Sequence, residues 1–197
     1  MDLTFLTPKT IFLIGHLIGV AVGMGGAIFS DILFFTSIKD KIIDNHELKF
    51  LKLASVIVWI GLTLLILSGF ALVLLDINHY LNSSKFLAKF FVVLIITTNG
   101  LAFEFLHMPW FEQIQNKNLN TEPSYKIRRP YLLVSGSISV MSWITTLILG
   151  TFKSLPFSFF QIILGYLFLI TSAIIGSLIL KNFLLPISSQ SETTTSN

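Results

Sequence analysis

The stretch LKLASVIVWIGLTLLILSGFALVLL, residues 51–75, decides what kind of fold this chain adopts. Beyond Lys52 it contains no ionisable side chain, and its only other polar side-chain groups are the hydroxyls of Ser55, Thr63 and Ser68 and the indole N–H of Trp59. About 20 apolar residues rising 1.5 Å each are enough to cross roughly 30 Å of hydrocarbon, so this segment is long enough to span a bilayer. Four further stretches meet or approach that requirement: Ile11 to Thr36, Phe86 to His107, Tyr131 to Thr151 and Phe157 to Phe183. The whole composition agrees, with 53% hydrophobic and 12% charged residues and a mean hydropathy of +0.81. Soluble domains carry about 25% charged residues. The expected fold is therefore all-α, an integral membrane bundle of about five transmembrane helices in contact with the lipid bilayer.

Residues 1–187 form this single helical domain, because no remaining segment is large enough for a second one. The final residues 188–197, SSQSETTTSN, are polar and low in complexity and are expected to be disordered. Prolines punctuate four of the spans. Thr7-Pro8 reads as a cap with proline at the first helical position, Pro109 as the end of the third span, and Pro130 and Pro156 as the starts of the next two. A signal peptide cleaved near Gly25-Gly26-Ala27 is the rival for the first span. It would need a more basic start than Lys9 and a clear A-x-A site, so the span reads as uncleaved.

Charge orients the bundle. Lys39, Lys41, Lys49, Lys52, Lys117, Lys126, Arg128, Arg129 and Lys181 fall on one side, and Lys9, Lys85, Lys89 and Lys153 on the other. By the positive-inside rule this asymmetry places the N-terminus outside and the C-terminus inside. The same distribution explains the net charge of +3 without nucleic acid as a partner, since the basic residues flank spans and form no single patch interleaved with aromatics. The absence of cysteine excludes disulfides, thiolate metal sites, iron–sulfur clusters and thiol nucleophiles. No Gly-rich phosphate loop, Gly-x-Ser-x-Gly elbow or His-Glu-x-x-His pair is present.

Ionisable residues within spans cost about 2.5–3.5 kcal/mol each on insertion scales and are functional candidates by default. Helical depth sorts them into two groups. His16, with Lys89 and the loop residues Asp76, His79 and Lys85, lies toward the outer side. Asp31, Asn99, Glu104 and His107 lie toward the inner side, with Arg128 and Arg129 entering the fourth span, where they suit a proton relay or a structural lock in which Asp31 pairs with His107 or Arg128 and Glu104 neutralises an arginine. His107 is about 30 Å along the third span, so it cannot share a metal with His16. On a regular helix Lys89, Ile96, Gly100 and His107 share one face. Gly15, Gly19, Gly23, Gly26 and Ser30 form a small-residue ridge on the first span. Its plainer use is close helix packing, within the chain or in a homo-oligomer; its sharper use is to clear a wall for a flat cofactor beside His16. Ser135, Ser139, Ser142 and Thr146 form a hydroxyl stripe that suits helix contacts.

The stretch His16-Leu17-Ile18-Gly19, the segment from Trp59-Ile60-Gly61 to Ser68-Gly69, and Lys89 opening the third span together resemble a group of small bacterial membrane proteins. That group includes the copper-resistance D family and the HemJ-type protoporphyrinogen oxidase, and the likeness covers roughly residues 10 to 150. The resemblance implies a multi-pass protein of the bacterial inner membrane. It also implies a haem-associated histidine and lysine, His16 and Lys89 by position. The chain departs from that layout at the end of the first span, where it has Asp31 in place of an arginine.

Three classes of function follow. The first is a redox protein binding haem b or a porphyrin, with His16 as one ligand to the metal and Lys89, as a neutral amine, or His79 as the other. The second is a proton-coupled or metal-ion transporter working through Asp31, Glu104 and His107. The third is a non-catalytic assembly subunit whose polar groups lock helices. Copper is poorly served, because Met1, Met24, Met108 and Met141 are scattered along the chain.

Overall fold

A computed structural model describes residues 7–39, 41–119, 121–152 and 155–185. Lys153 and the tail 188–197 lie outside the described residues. Among the described residues, five helical segments are long and apolar enough to cross a membrane. The first two are α1 (Pro8–Lys39) and α2 (Asn45–Leu75), followed by the short α3 (Ile77–Leu81). The third span combines α4 (Ser84–Ala102), a π-helical turn at Phe103–His107 and α5 (Met108–Gln113). The last two are α6 (Pro123–Thr151) and α7 (Phe159–Ile179), and a final turn, α8 (Lys181–Leu184), ends the described chain. The chain is a multi-pass membrane protein by this architecture. Large apolar side chains cover its outside, among them Phe105, Phe160, Phe168 and Ile179, each at least 71% exposed. Water would not tolerate that surface, and lipid does.

Local chemistry sets the helix ends. Asp44 caps α2 with a full capping box: its carboxylate accepts from the Glu47 amide at 2.7 Å, and Glu47 accepts from the Asp44 amide at 3.0 Å. This span contains no proline. Ser158 and Gln161 cap α7 in the same way, so that helix starts at Phe159, three residues beyond Pro156. Pro8 is the first residue of α1, and the Thr7 hydroxyl accepts from the Thr10 amide at 3.2 Å.

Two of the proline boundaries are corrected. Pro130 lies inside α6, which begins instead at Pro123, and Pro109 lies inside the third span, which continues to Gln113. Proline within a span is tolerated when neighbouring groups and local rewinding satisfy the freed carbonyls. At Pro109 the rewinding is visible as the π turn just before it, closed by the Met108 amide donating to the Phe103 carbonyl.

The α1–α2 and α5–α6 loops meet on one face of the bundle. The Asn116 amide donates to the Ile43 carbonyl at 2.9 Å and the Leu119 amide to the Lys41 carbonyl at 2.8 Å. Lys52 and Glu112 pair at 2.6 Å on this loop face. The opposite end carries α3 and the α6–α7 connection. Two cores stack between the ends. One, near the loop face, gathers Leu51, Trp110, Phe111, Tyr125 and Leu132; the other gathers Leu62, Leu65, Val92, Trp143 and Tyr166. Trp110 is part of this interior at 4% exposure.

The most extensive helix contact joins α1 to α2. Each step up the glycine ridge meets a step down α2: Gly15 faces Ser68, Gly19 faces Leu65, Gly23 faces Gly61 and Gly26 faces Val58. A Cβ at Gly19 would stand 2.6 Å from the Leu65 nitrogen and 3.0 Å from the Gly61 oxygen. The ridge therefore serves close approach of two backbones within one chain. Gly19 and Gly23 are buried by it and offer no surface to a second copy.

Candidate functional site: a polar cavity between the two cores

A cavity of about 80 Å³ lies where the two cores meet, walled by residues of α1, α2, α4, the π turn, α5 and α6. Phe34, Phe111 and Leu132 bound it on the loop side, and Ala27, Ile96 and Trp143 on the other. Into this apolar shell project Ser30, Asp31, Ser55, Asn99, Ser135 and His107. Trp59 and Trp143 also line the cavity.

Some of these groups are satisfied. Asn99 and Ser135 exchange two hydrogen bonds, Asn99 Nδ2 donating to the Ser135 carbonyl and the Ser135 hydroxyl to Asn99 Oδ1, each at 3.1 Å. The Ser55 hydroxyl donates to Glu104 Oε2 at 2.7 Å, tying the π turn to α2. Asp31 Oδ2 and His107 Nδ1, in contrast, are buried and have no hydrogen-bond partner among the described residues. Leaving a buried polar group unsatisfied costs about 1–3 kcal/mol, and more if it is charged. Two such groups lining one cavity are therefore the feature that packing does not explain.

The locks expected from sequence are not formed. Arg128 donates to the Leu106 carbonyl at 2.8 Å and stands over the Trp110 ring at 5.5 Å, so it pairs with neither Asp31 nor Glu104. The extra residue accommodated by the π turn takes His107 off the line of Lys89, Ile96 and Gly100 expected for a regular helix. That turn was not legible in the hydropathy pattern; Pro109 following Glu104 and His107 was the available signal. Within the hydroxyl stripe, Ser135 bonds Asn99 and Ser142 meets the Tyr166 hydroxyl at 2.7 Å, both across helix contacts. Arg129, counted with the inner group, is buried at 6% exposure and points away from the cavity residues: it donates to the Leu185 carbonyl and Asn182 Oδ1 and so ties α6 to α8.

The outer group is arranged differently. His16 Nδ1 lies 3.1 Å from the Leu65 carbonyl and 3.2 Å from the Ser68 hydroxyl, and Lys89 is within electrostatic reach of the imidazole. His79 stands apart, exposed in α3 with its ring edge-on to Tyr80, while Asp76 caps that helix by accepting from the His79 amide at 3.2 Å. Lys85 donates to the Phe152 carbonyl across the α3 end. The space that Gly19 and Gly23 open is filled by Leu65, Gly61 and the Trp143 ring, so these glycines do not clear a wall for a macrocycle. Among the described residues no three His, Asp or Glu side chains converge as metal ligands, and a metal at His16 finds no such ligand set.

Fold and site together define a class: a helical membrane protein with five spans among the described residues, enclosing a small cavity lined by an acid and an imidazole that each leave one buried atom unpartnered. Comparison with protein-family models, with curated proteins and with solved structures found no match, so the residues themselves carry the functional reading.

Proposed function

We propose that this protein is a proton-coupled transporter or proton conductor in which Asp31 and His107 exchange a proton through the cavity between the two cores. The observation that carries this reading is the pair of buried, unpartnered atoms, Asp31 Oδ2 and His107 Nδ1, lining one space. The cavity has room for a few water molecules, and its serine hydroxyls and the Asn99 amide supply the polar partners that internal water needs. Carboxylate, imidazole and bridging hydroxyls are the groups that proton relays in membranes employ. Glu104, held by Ser55, stands at the edge of this network in a positioning role. The side carrying the basic loops is read as cytoplasmic under the positive-inside rule. In proteoliposomes under an imposed pH gradient, wild-type protein is expected to carry proton flux above that of protein-free vesicles; flux equal to protein-free vesicles, with correctly folded protein, overturns the reading.

A second reading, haem b or a porphyrin with His16 as axial ligand and Lys89 beside it, is favoured by one observation. The Leu65 carbonyl positions His16 Nδ1 as a hydrogen-bond donor, which leaves Nε2 as the nitrogen available to a metal. The reading expects detergent-purified protein, expressed with haem supplied, to show a Soret band that shifts on dithionite reduction and is lost in His16→Ala. A flat spectrum under those conditions eliminates it and leaves His16 as a link between α1 and α2.

A further inference from the structure

On the far side of the Asn99–Ser135 contact lies a second space, a groove of about 410 Å³ between the third span and α6. Its apolar walls are Ala102, Leu106, Val134 and Ile138, and Arg128 stands in its lining on the loop side. Exposed side chains of Leu106, Ile127 and Tyr131 form its rim, so the groove opens on the outside of the bundle where lipid lies.

Its dimensions and its charge both bear on what fills it. From Arg128 to Ile138 the α6 wall rises about 15 Å at 1.5 Å per residue, which is about half of a roughly 30 Å hydrocarbon core. The groove is thus one leaflet deep, with its charged end toward the loop face. One Arg128 N–H group donates to the Leu106 carbonyl and the guanidinium rests over Trp110, and among the described residues no carboxylate pairs with it. A guanidinium has five N–H donors, so donors remain for an anion at the headgroup level, and a fork of this geometry suits phosphate oxygens.

We infer that this groove is a binding site for one anionic phospholipid of the leaflet adjoining the loop face, its phosphate on Arg128 and an acyl chain along Ala102, Val134 and Ile138. Basic pockets between transmembrane helices have the chemistry that recognises such headgroups. The site goes beyond the proton reading and does not depend on it. The two spaces share only the wall formed by Asn99, Ser135 and His107.

Native mass spectrometry of full-length protein in mixed micelles tests the inference, with phosphatidylglycerol and phosphatidylcholine as the probes. Wild type is expected to retain one phosphatidylglycerol in preference to phosphatidylcholine. Arg128→Gln is expected to weaken that binding about tenfold, as loss of a hydrogen-bonded charge does. Lys126→Gln, which removes a nearby exposed charge outside the groove, should leave it unchanged. Ala102→Phe, which fills the apolar wall and spares Arg128, should also reduce binding. Equal retention of both lipids by wild type overturns the inference, as does equal phosphatidylglycerol binding by wild type and Arg128→Gln. Inorganic phosphate that displaces the lipid completely would show an anion site with no acyl component and would overturn it too.

Discussion

Asp31→Asn is expected to lower proton flux about 10²-fold, the scale on which a single positioned proton-transfer group contributes, while leaving the thermal stability of the detergent-solubilised protein unchanged or raised. The two halves of this result separate relay from lock. A carboxylate that holds helices together has partners, and removing it leaves them unsatisfied and destabilises the fold. Asp31 Oδ2 has no such partner, so converting the acid to an amide of the same shape breaks no hydrogen bond of that oxygen. Flux in proteoliposomes and unfolding followed by circular dichroism read the two effects independently. His107→Gln should reduce flux in the same direction. Glu104→Gln, whose Oε2 only accepts from Ser55, should affect it much less. Destabilised Asp31→Asn protein with undiminished flux would assign Asp31 to packing.

The second large effect is mechanical. Gly61→Ala places a Cβ on the backbone nitrogen and Cα of Gly23 and 2.9 Å from the Gly19 oxygen. All three are backbone atoms of α1, which no rotamer change can move aside, so the helices must separate along their most extensive contact. Overpacking of this kind costs about 1–3 kcal/mol or more. Separation would also detach Leu65 and Ser68 from His16. Gly25→Ala is the matched control, because nothing lies within 4 Å of a Cβ there. Its expected effect is neutral to about 1 kcal/mol stabilising, from helix propensity alone. Thermal unfolding of both variants in the same detergent should give a lowered midpoint for Gly61→Ala only; equal midpoints would show that the α1–α2 contact has slack.

Much of this architecture was legible in the sequence, for a physical reason. The bilayer demands runs of apolar residues whose length follows from its thickness, so Leu51 to Leu75 could be read as a span from composition alone. The intervals of four in the glycine ridge likewise predicted a close helix contact. They could not say which helix came near, because that depends on the complementary Gly61 and Ser68 of α2. Prolines misled where lipid changes their meaning: Pro130 is accommodated within α6, and Pro109 leaves a π turn where an end was expected. That turn matters to the site, since it sets where Glu104 and His107 point. Asp31 and His107 were both singled out by the cost of burying ionisable groups. Their convergence on one cavity, with Arg128 turned away toward Leu106 and Trp110, depends on side-chain packing that no one-dimensional pattern records.

The central claim, that the Asp31 carboxyl exchanges protons with water in the cavity, is tested most directly by infrared pH-difference spectroscopy of reconstituted wild type in H₂O and D₂O. The expected spectrum contains a protonated-carboxyl C=O band that shifts promptly in D₂O, disappears in Asp31→Asn and persists in Glu104→Gln. A band that does not shift in D₂O, or that survives unchanged in Asp31→Asn, would contradict it.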